Sequence, residues 1–250
     1  YPELNAAMLK LVSERLAVAT ARTSAMSTNM PRVIAILPAG TTQLPDGFLV
    51  RLANAFEAMV DSGTPIIALG QAISDSSDRA AYQSWLAEQE SKGAYVLVDA
   101  SGSDEWGEMI CRNADALLMV GRPGKFDPAP SAMEQTAMRW IAEPQRTLLL
   151  LRSKASKQIS KSGEWIDPRS PKLHHHVALD TEDDFNKVAR FLTGKAVGVV
   201  LAGGGALGCA HLGVIKALRQ ADIPIDYIGG ASAGAAMGGA IARGMTVDET

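Results

Sequence analysis

The chain has 250 residues, a formal net charge of −3 and 47% apolar residues, enough to bury one large α/β core or two smaller ones. The acidic balance, with lysine and arginine interspersed among acids, excludes a general nucleic-acid-binding surface. Two cysteines and four histidines supply neither a disulfide framework nor zinc-ligand spacing.

Residues 3–22 place Leu4, Met8, Leu11, Leu16 and Ala19 at helical spacing, and a polar stretch, TSAMSTNM, follows. Residues 1–30 therefore read as a helix and linker. From Pro31 onward, apolar runs rich in β-branched residues recur at 32–40 (RVIAILPAG), 64–70 (TPIIALG), 94–100 (AYVLVDA), 114–121 (ADALLMVG) and 146–153 (RTLLLLRS). Amphipathic stretches of helical length separate them, among them DGFLVRLANAFEAMVDSG and PSAMEQTAMRWIAE. Continuous apolar strands alternating with helices indicate a parallel sheet covered on both faces, a Rossmann-like or flavodoxin-like doubly wound α/β fold of five strands. The polar segment 153–172 (SKASKQISKSGEWIDPRSPK) reads as an exposed loop, and LHHHVALD after it as one more short strand. TEDDFNKVARFLTG (181–194) carries acids in its first turn and Gly194 at its end, a favourable arrangement for helix dipole and C-cap. This organisation assigns 31–195 to the Rossmann-like domain and 196–250 to the start of a second βαβα unit. The first residue is Tyr1 and the last, Thr250, falls inside that unit, so the chain reads as a piece of a longer polypeptide. It shows neither a secretory signal pattern nor about 18 uninterrupted apolar residues, which fits an intracellular location, cytoplasmic or peripheral to a membrane.

The second unit holds two glycine motifs. Gly203, Gly205 and Gly208 satisfy G-x-G-x-x-G between a strand and a helix, a form that cradles dinucleotide phosphates. A dinucleotide site also needs an acid at the far end of the next strand to hold the ribose. In IDYIGG the acid, Asp226, stands at the beginning, and Gly229 and Gly230 occupy the end. That end continues into GASAG, Gly230 to Gly234, a G-x-S-x-G sequence between a strand and a helix. Such a turn exposes Ser232 at the carboxyl edge of the sheet beside a helix N-terminus that favours a developing anion. Adjacent parallel strands deliver their loops to one edge, so the amides of Gly203, Gly204, Gly205 and Ala206 are placed to face the carbonyl that Ser232 attacks. Amides so placed form an oxyanion hole, worth on the order of 3 kcal/mol per donor.

GVVLAGGGALG, HLGVIKAL and IPIDYIGGASAG together resemble, in order and spacing, the oxyanion-hole strand, first helix and nucleophile elbow of patatin-like phospholipases. NADALLMVG, DDFNKVARFLTG and the α/β region around them are similar to the segment that precedes the catalytic domain in the neuropathy target esterase-like branch. In that branch cyclic-nucleotide-binding domains lie further toward the N-terminus. The resemblance implies hydrolysis of phospholipid or lysophospholipid esters by a Ser-Asp dyad, with peripheral membrane contact and neither metal nor cofactor. Carried onto this chain, Ser232 is the nucleophile, Gly230 and Gly234 flank it in the elbow, and Gly203, Gly204, Gly205, Ala206 and Gly208 belong to the oxyanion loop. Two departures stand out. Leu207 occupies the place where the family carries arginine or lysine. The family's aspartate sits in an Asp-Gly pair well beyond the nucleophile, whereas the pair found here, Asp46-Gly47, lies far upstream and reads as a helix start; Asp248 is too close to Ser232. These 250 residues alone are therefore expected to be inactive. The alternative reading makes the Rossmann-like domain a non-catalytic regulatory or interaction module coupling an upstream cyclic-nucleotide-binding region to the hydrolase.

Other candidates have plainer readings. Consecutive strand residues alternate faces, so at most two of His174, His175 and His176 point together, as expected of a partly exposed strand. His211 reads as a helix-start or packing residue and Cys209 as a small buried one. The loop at 38–42 (PAGTT) lies where doubly wound sheets bind ligands, but it has neither a glycine fingerprint nor a P-loop lysine.

Overall fold

Strands that must bury both faces carry unbroken apolar runs, and those runs build the first sheet. In the computed structural model, which describes residues 30–69, 79–124, 126–153, 161–247 and 249, they form β1 (Val33–Pro38), β2 (Ile66–Leu69), β3 (Tyr95–Asp99), β4 (Ala116–Gly121) and β5 (Arg146–Arg152). With β6 (Leu173–Ala178) they make a six-stranded sheet, all pairs parallel, in the order β2-β3-β1-β4-β5-β6. The expected helix at 3–22 and the linker after it lie outside the described residues. The chain divides into two compact units, with the boundary between Gly194 and Lys195.

Alternation along the strands feeds two cores. Val33, Ala35, Leu37, Val96, Val98, Met119 and Leu150 face α2 (Arg79–Ser91), α3 (Asp104–Asn113) and α4 (Ala132–Trp140) through Tyr82, Leu86, Trp106, Ile110 and Ala137. Ile34, Ile36, Leu97, Leu118, Val120 and Leu149 face α1 (Phe48–Glu57) and α6 (Glu182–Leu192) through Phe48, Leu52, Phe56, Phe185 and Val188. Local signals start and stop these helices. Ser103 accepts the Trp106 N–H at the start of α3, Ser131 and Glu134 form a capping box on α4, and three acids open α6. Gly194 follows α6 with φ +72°, the left-handed terminus that glycine adopts without strain.

The doubly wound parallel α/β fold is the one expected; the strand order is neither of the two expected variants. In the dinucleotide-binding order β1 pairs with β2, and in the flavodoxin-like order β1 lies between β2 and β3. Here β3 lies beside β1 and β2 is displaced to the edge. Burial follows the positions: every residue of β3, between two strands, is buried, whereas the four residues of β2 at the edge are half-buried or exposed.

The expectation for 153–172 is corrected in its second half. Residues 154–160 lie outside the described residues, but α5 (Ser162–Ile166) sends Trp165 into the core, and Arg169 is fully buried. Arg169 Nε lies 2.6 Å from Glu134 Oε1 and its Nη2 lies 3.1 Å from Glu134 Oε2, with neither side chain exposed. Arg169 Nη1 donates to the Pro128 and Trp165 carbonyls. The stretch looks solvated because its buried cation finds its partner on a distant helix.

In the second unit β7 (Gly198–Leu201) and β8 (Tyr227–Gly230) pair in parallel, Leu201 opposite Gly230. They are linked by a 3-10 turn at Gly205–Cys209 and by α7 (Ala210–Gln220), and α8 (Ala233–Ala242) follows β8. Leu201, Ile215 and Ile241 are its buried core. Asp226 Oδ2 accepts the Val197 N–H at 3.0 Å, so this carboxylate ties the strand entrances together.

Replacing Arg169 with methionine leaves the Glu134 carboxylate buried without its counter-ion. Urea denaturation of R169M should show a loss of about 3–5 kcal/mol, and a loss below about 1 kcal/mol would mean that the pair is not held dry.

Candidate active site

The site is built at the carboxyl edge of β7 and β8, where close backbone packing fixes Ser232. A Cβ on Gly230 would stand 2.5 Å from the Gly234 carbonyl carbon and 2.7 Å from the Leu201 oxygen. One on Gly234 would stand 2.6 Å from the Ala202 oxygen and closer still to that of Leu201. Distances below 3.0 Å to backbone atoms cannot be relieved by a rotamer change, so both positions demand glycine. The chain turns between them with Ser232 at φ 50°, ψ −122°. Few side-chain-bearing residues adopt such a conformation, and it costs of order 1–3 kcal/mol. The turn is closed by the Ala231 N–H donating to the Leu201 carbonyl at 3.0 Å and the Gly234 N–H donating to the Ala231 carbonyl at 3.0 Å. Ser232 is exposed and precedes α8 directly. The small residues of that helix let it lie close to the strands: a Cβ on Gly238 would meet Ile228 at 3.5 Å.

The first glycine motif reaches the same place. A Cβ on Gly203 would lie 3.3 Å from Ser232 Cβ, and one on Gly208 2.9 Å from Ala233 Cβ. Gly204, Gly205 and Ala206 form the exposed bridge between these two contacts; Gly205 has φ +55°, and the Leu207 N–H donates to the Gly204 carbonyl. Leu207 projects into solvent, 84% exposed. Residue 207 thus stands on the rim of the turn, and its side chain takes no part in closing it. The sequence motif did not reveal the role of His211. Its Nε2 lies 2.8 Å from the Ala202 carbonyl oxygen, which requires Nε2–H as donor and ties the start of α7 to the end of β7. The ring is engaged with backbone rather than with Ser232; the spacing of nine residues between His211 and Ala202 carries no local signal of that bond.

The remaining candidates each have their own surroundings. Cys209 is exposed rather than buried, correcting the expectation, because it caps a turn that presents its residues outward. The buried Cys111 thiol is pushed up to about 12 by burial and, next, by Glu108, which leaves it protonated and inert. Tyr227, at the start of β8, also titrates above its usual range, through burial first and then the Asp226 carboxylate. His174 and His176 share one face of β6 with ring centroids 5.8 Å apart, while His175 packs on Phe191 from the other. Burial first, then His174 and Arg152, lower the His176 pKa. Among the described residues no group of three or more His, Cys, Asp or Glu side chains is placed to hold a metal ion. Asp46 and Gly47 precede α1 in the first unit, and Asp248 lies outside the described residues.

Residues 199–250 match the model of the patatin-like phospholipase family, and residues 31–184 match that of the neuropathy target esterase family P-loop-like domain. The chain belongs to the neuropathy target esterase branch of the patatin-like phospholipases. It is 32% identical over 249 residues to mouse patatin-like phospholipase domain-containing protein 7, covering 87% of this chain and 18% of that protein. Human patatin-like phospholipase domain-containing protein 6 is 30% identical over the same shares. The neuropathy target esterase sws of Drosophila melanogaster is 33% identical over 198 residues, 68% of this chain and 14% of that protein. The chain thus spans less than a fifth of the length of these relatives. No solved structure matches it.

Two glycines of α8 separate crowding from propensity. Gly234→Ala should destabilise by more than about 1–3 kcal/mol, since no repacking removes a backbone clash. Gly239→Ala meets nothing within 4 Å and should stabilise the helix by about 0.5–1 kcal/mol. Equal effects in urea titrations would contradict the close packing of the elbow.

Proposed function

We propose that this chain carries the nucleophile half of a serine esterase that hydrolyses phospholipid or lysophospholipid ester bonds, with Ser232 as nucleophile. The observation that supports it is the strained backbone of Ser232 between two glycines that backbone crowding makes obligatory. Strain held by surrounding structure is characteristic of functional turns. In the proposed reaction the Ser232 hydroxyl loses its proton to a general base as its oxygen attacks the ester carbonyl. The tetrahedral oxyanion lies against the N–H groups of Gly203, Gly204, Gly205, Ala206 and Gly208, with the N-terminus of α8 adding to the favourable field. Collapse expels the alcohol, which takes up the proton held by the base, and leaves an acyl-serine; water then hydrolyses that ester with the same base as proton acceptor, and the proton returns to Ser232 as the acid leaves.

The base in this reading is an aspartate. Asp226 already bonds the Val197 N–H at the opposite end of the strands, and the proposal, following the family resemblance, places the catalytic aspartate outside these 250 residues and makes them inactive alone. A lipid substrate fits peripheral contact with a membrane; no helix among the described residues is long and apolar enough to cross one. An intracellular site fits the free Cys111 and Cys209.

A second reading concerns the first unit alone. It encloses two cores of its own and carries none of the elbow residues, which favours a non-catalytic module that couples upstream cyclic-nucleotide-binding domains to the hydrolase.

The test is turnover of lysophospholipid micelles by the 250-residue chain and by a polypeptide extended through the patatin-like domain. The extended form should turn over, with Ser232→Ala reducing kcat by about 10,000-fold or more, and the 250 residues should not. Turnover by the 250 residues that Ser232→Ala abolishes would overturn the placement of the base. Turnover by the extended form that survives Ser232→Ala would overturn the nucleophile.

A further inference from the structure

The first unit matches a P-loop-like domain, and such a fold takes up nucleotide phosphate beyond the carboxyl ends of the strands, where the strand order reverses. That point lies here between β1 and β4, so the donors of a phosphate cradle belong to the loop after β1. A phosphate loop supplies consecutive glycine-rich backbone N–H groups, a lysine and a Ser/Thr hydroxyl for the metal. The loop after β1, residues 39–47 (AGTTQLPDG), has no lysine.

The polar groups at its start are already engaged. The Gly40 N–H donates to Glu134 Oε2 at 2.8 Å. The Thr41 hydroxyl accepts the Asp127 N–H at 3.0 Å, and the Thr42 hydroxyl accepts the Arg122 N–H at 3.2 Å. Space is equally closed: Gly40 has φ +59°, a Cβ there would run into the Asp127 carbonyl oxygen, and it would stand 3.4 Å from the Trp165 ring. From the β4 side, a Cβ on Gly121 would lie 2.5 Å from that same ring.

An anion nevertheless sits in this crevice, and it belongs to the chain. Glu134 Oε2 accepts from the Gly40 N–H, from the Ser131 N–H at 2.7 Å and from Arg169 Nη2 at 3.1 Å, while Oε1 accepts from Arg169 Nε at 2.6 Å. Two backbone N–H groups, one of them at a helix N-terminus, and a bidentate guanidinium are the donors that recognise a phosphate oxygen pair. Both charged side chains are fully buried. The geometry points to a self-occupied anion site: the Glu134 carboxylate stands where this type of fold receives phosphate, and the domain binds no nucleotide there. The cradle acts instead as an internal latch, joining the β1 loop, the start of α4 and the segment after α5 into one rigid edge.

Two arms test this with the 250-residue chain. In the first, ATP, GTP with magnesium, and inorganic phosphate are titrated while the Gly40 amide resonance is followed by ¹H–¹⁵N NMR. The expected result is no saturable shift of that resonance; a saturable shift overturns the inference, and binding that leaves Gly40 unmoved supports it. In the second, Glu134→Ala vacates the position. Its Tm should rise saturably with inorganic phosphate, a response absent from the unsubstituted chain and lost again in Glu134→Ala/Arg169→Met. A folded Glu134→Ala chain whose Tm ignores phosphate overturns the assignment of the site as an anion cradle; should that variant not fold, the first arm alone decides.

Discussion

The Leu201 carbonyl oxygen leaves no room for a side chain at Gly230 or at Gly234, and the geometry of the second unit follows from that crowding. With both positions reduced to backbone, β8 passes into α8 within one sharp turn. The residue left at its apex is Ser232, in a conformation that side chains rarely adopt. The same approach lets Gly203 and Gly208 close on the elbow from the neighbouring loop, and His211 holds that loop by its bond to the Ala202 carbonyl. The exposed position of Ser232 follows from backbone crowding.

The first unit solves the corresponding problem in the opposite way. Its crevice lies at an equally exposed edge of a parallel sheet, yet it is filled by Trp165 and by the Glu134–Arg169 pair. Burying two charges is costly unless every donor and acceptor finds a partner, and here the guanidinium and the carboxylate do so through Pro128, Trp165, Ser131 and Gly40. One edge is closed by polar satisfaction, the other kept open by the absence of side chains.

The parts legible in the sequence were those with a local cause. The β1, β3, β4 and β5 runs announced buried parallel strands because a strand buried on both faces must be apolar throughout. The glycine spacing around Ser232 marked a sharp strand-to-helix turn, although the backbone that crowds Gly234 is that of Leu201 and Ala202 on the neighbouring strand. Strand order was not legible: β2 (IIAL) and β3 (YVLVD) are both short, largely apolar runs, and nothing local in them tells an edge strand from an interior one. Nor was the burial of Trp165 and Arg169, since the partner of Arg169 is Glu134, 35 residues earlier, and a polar segment with a distant partner looks like a solvated loop. The bond between His211 and Ala202 escaped for the same reason.

Covalent trapping tests the proposed role of Ser232 as the activated nucleophile of the site most directly. The polypeptide extended through the patatin-like domain would be treated with an organophosphonate ester probe, digested and mapped by mass spectrometry. The account predicts a single stoichiometric adduct on Ser232 that disappears in Ser232→Ala. An active enzyme labelled at another residue, with Ser232 unmodified, would contradict it.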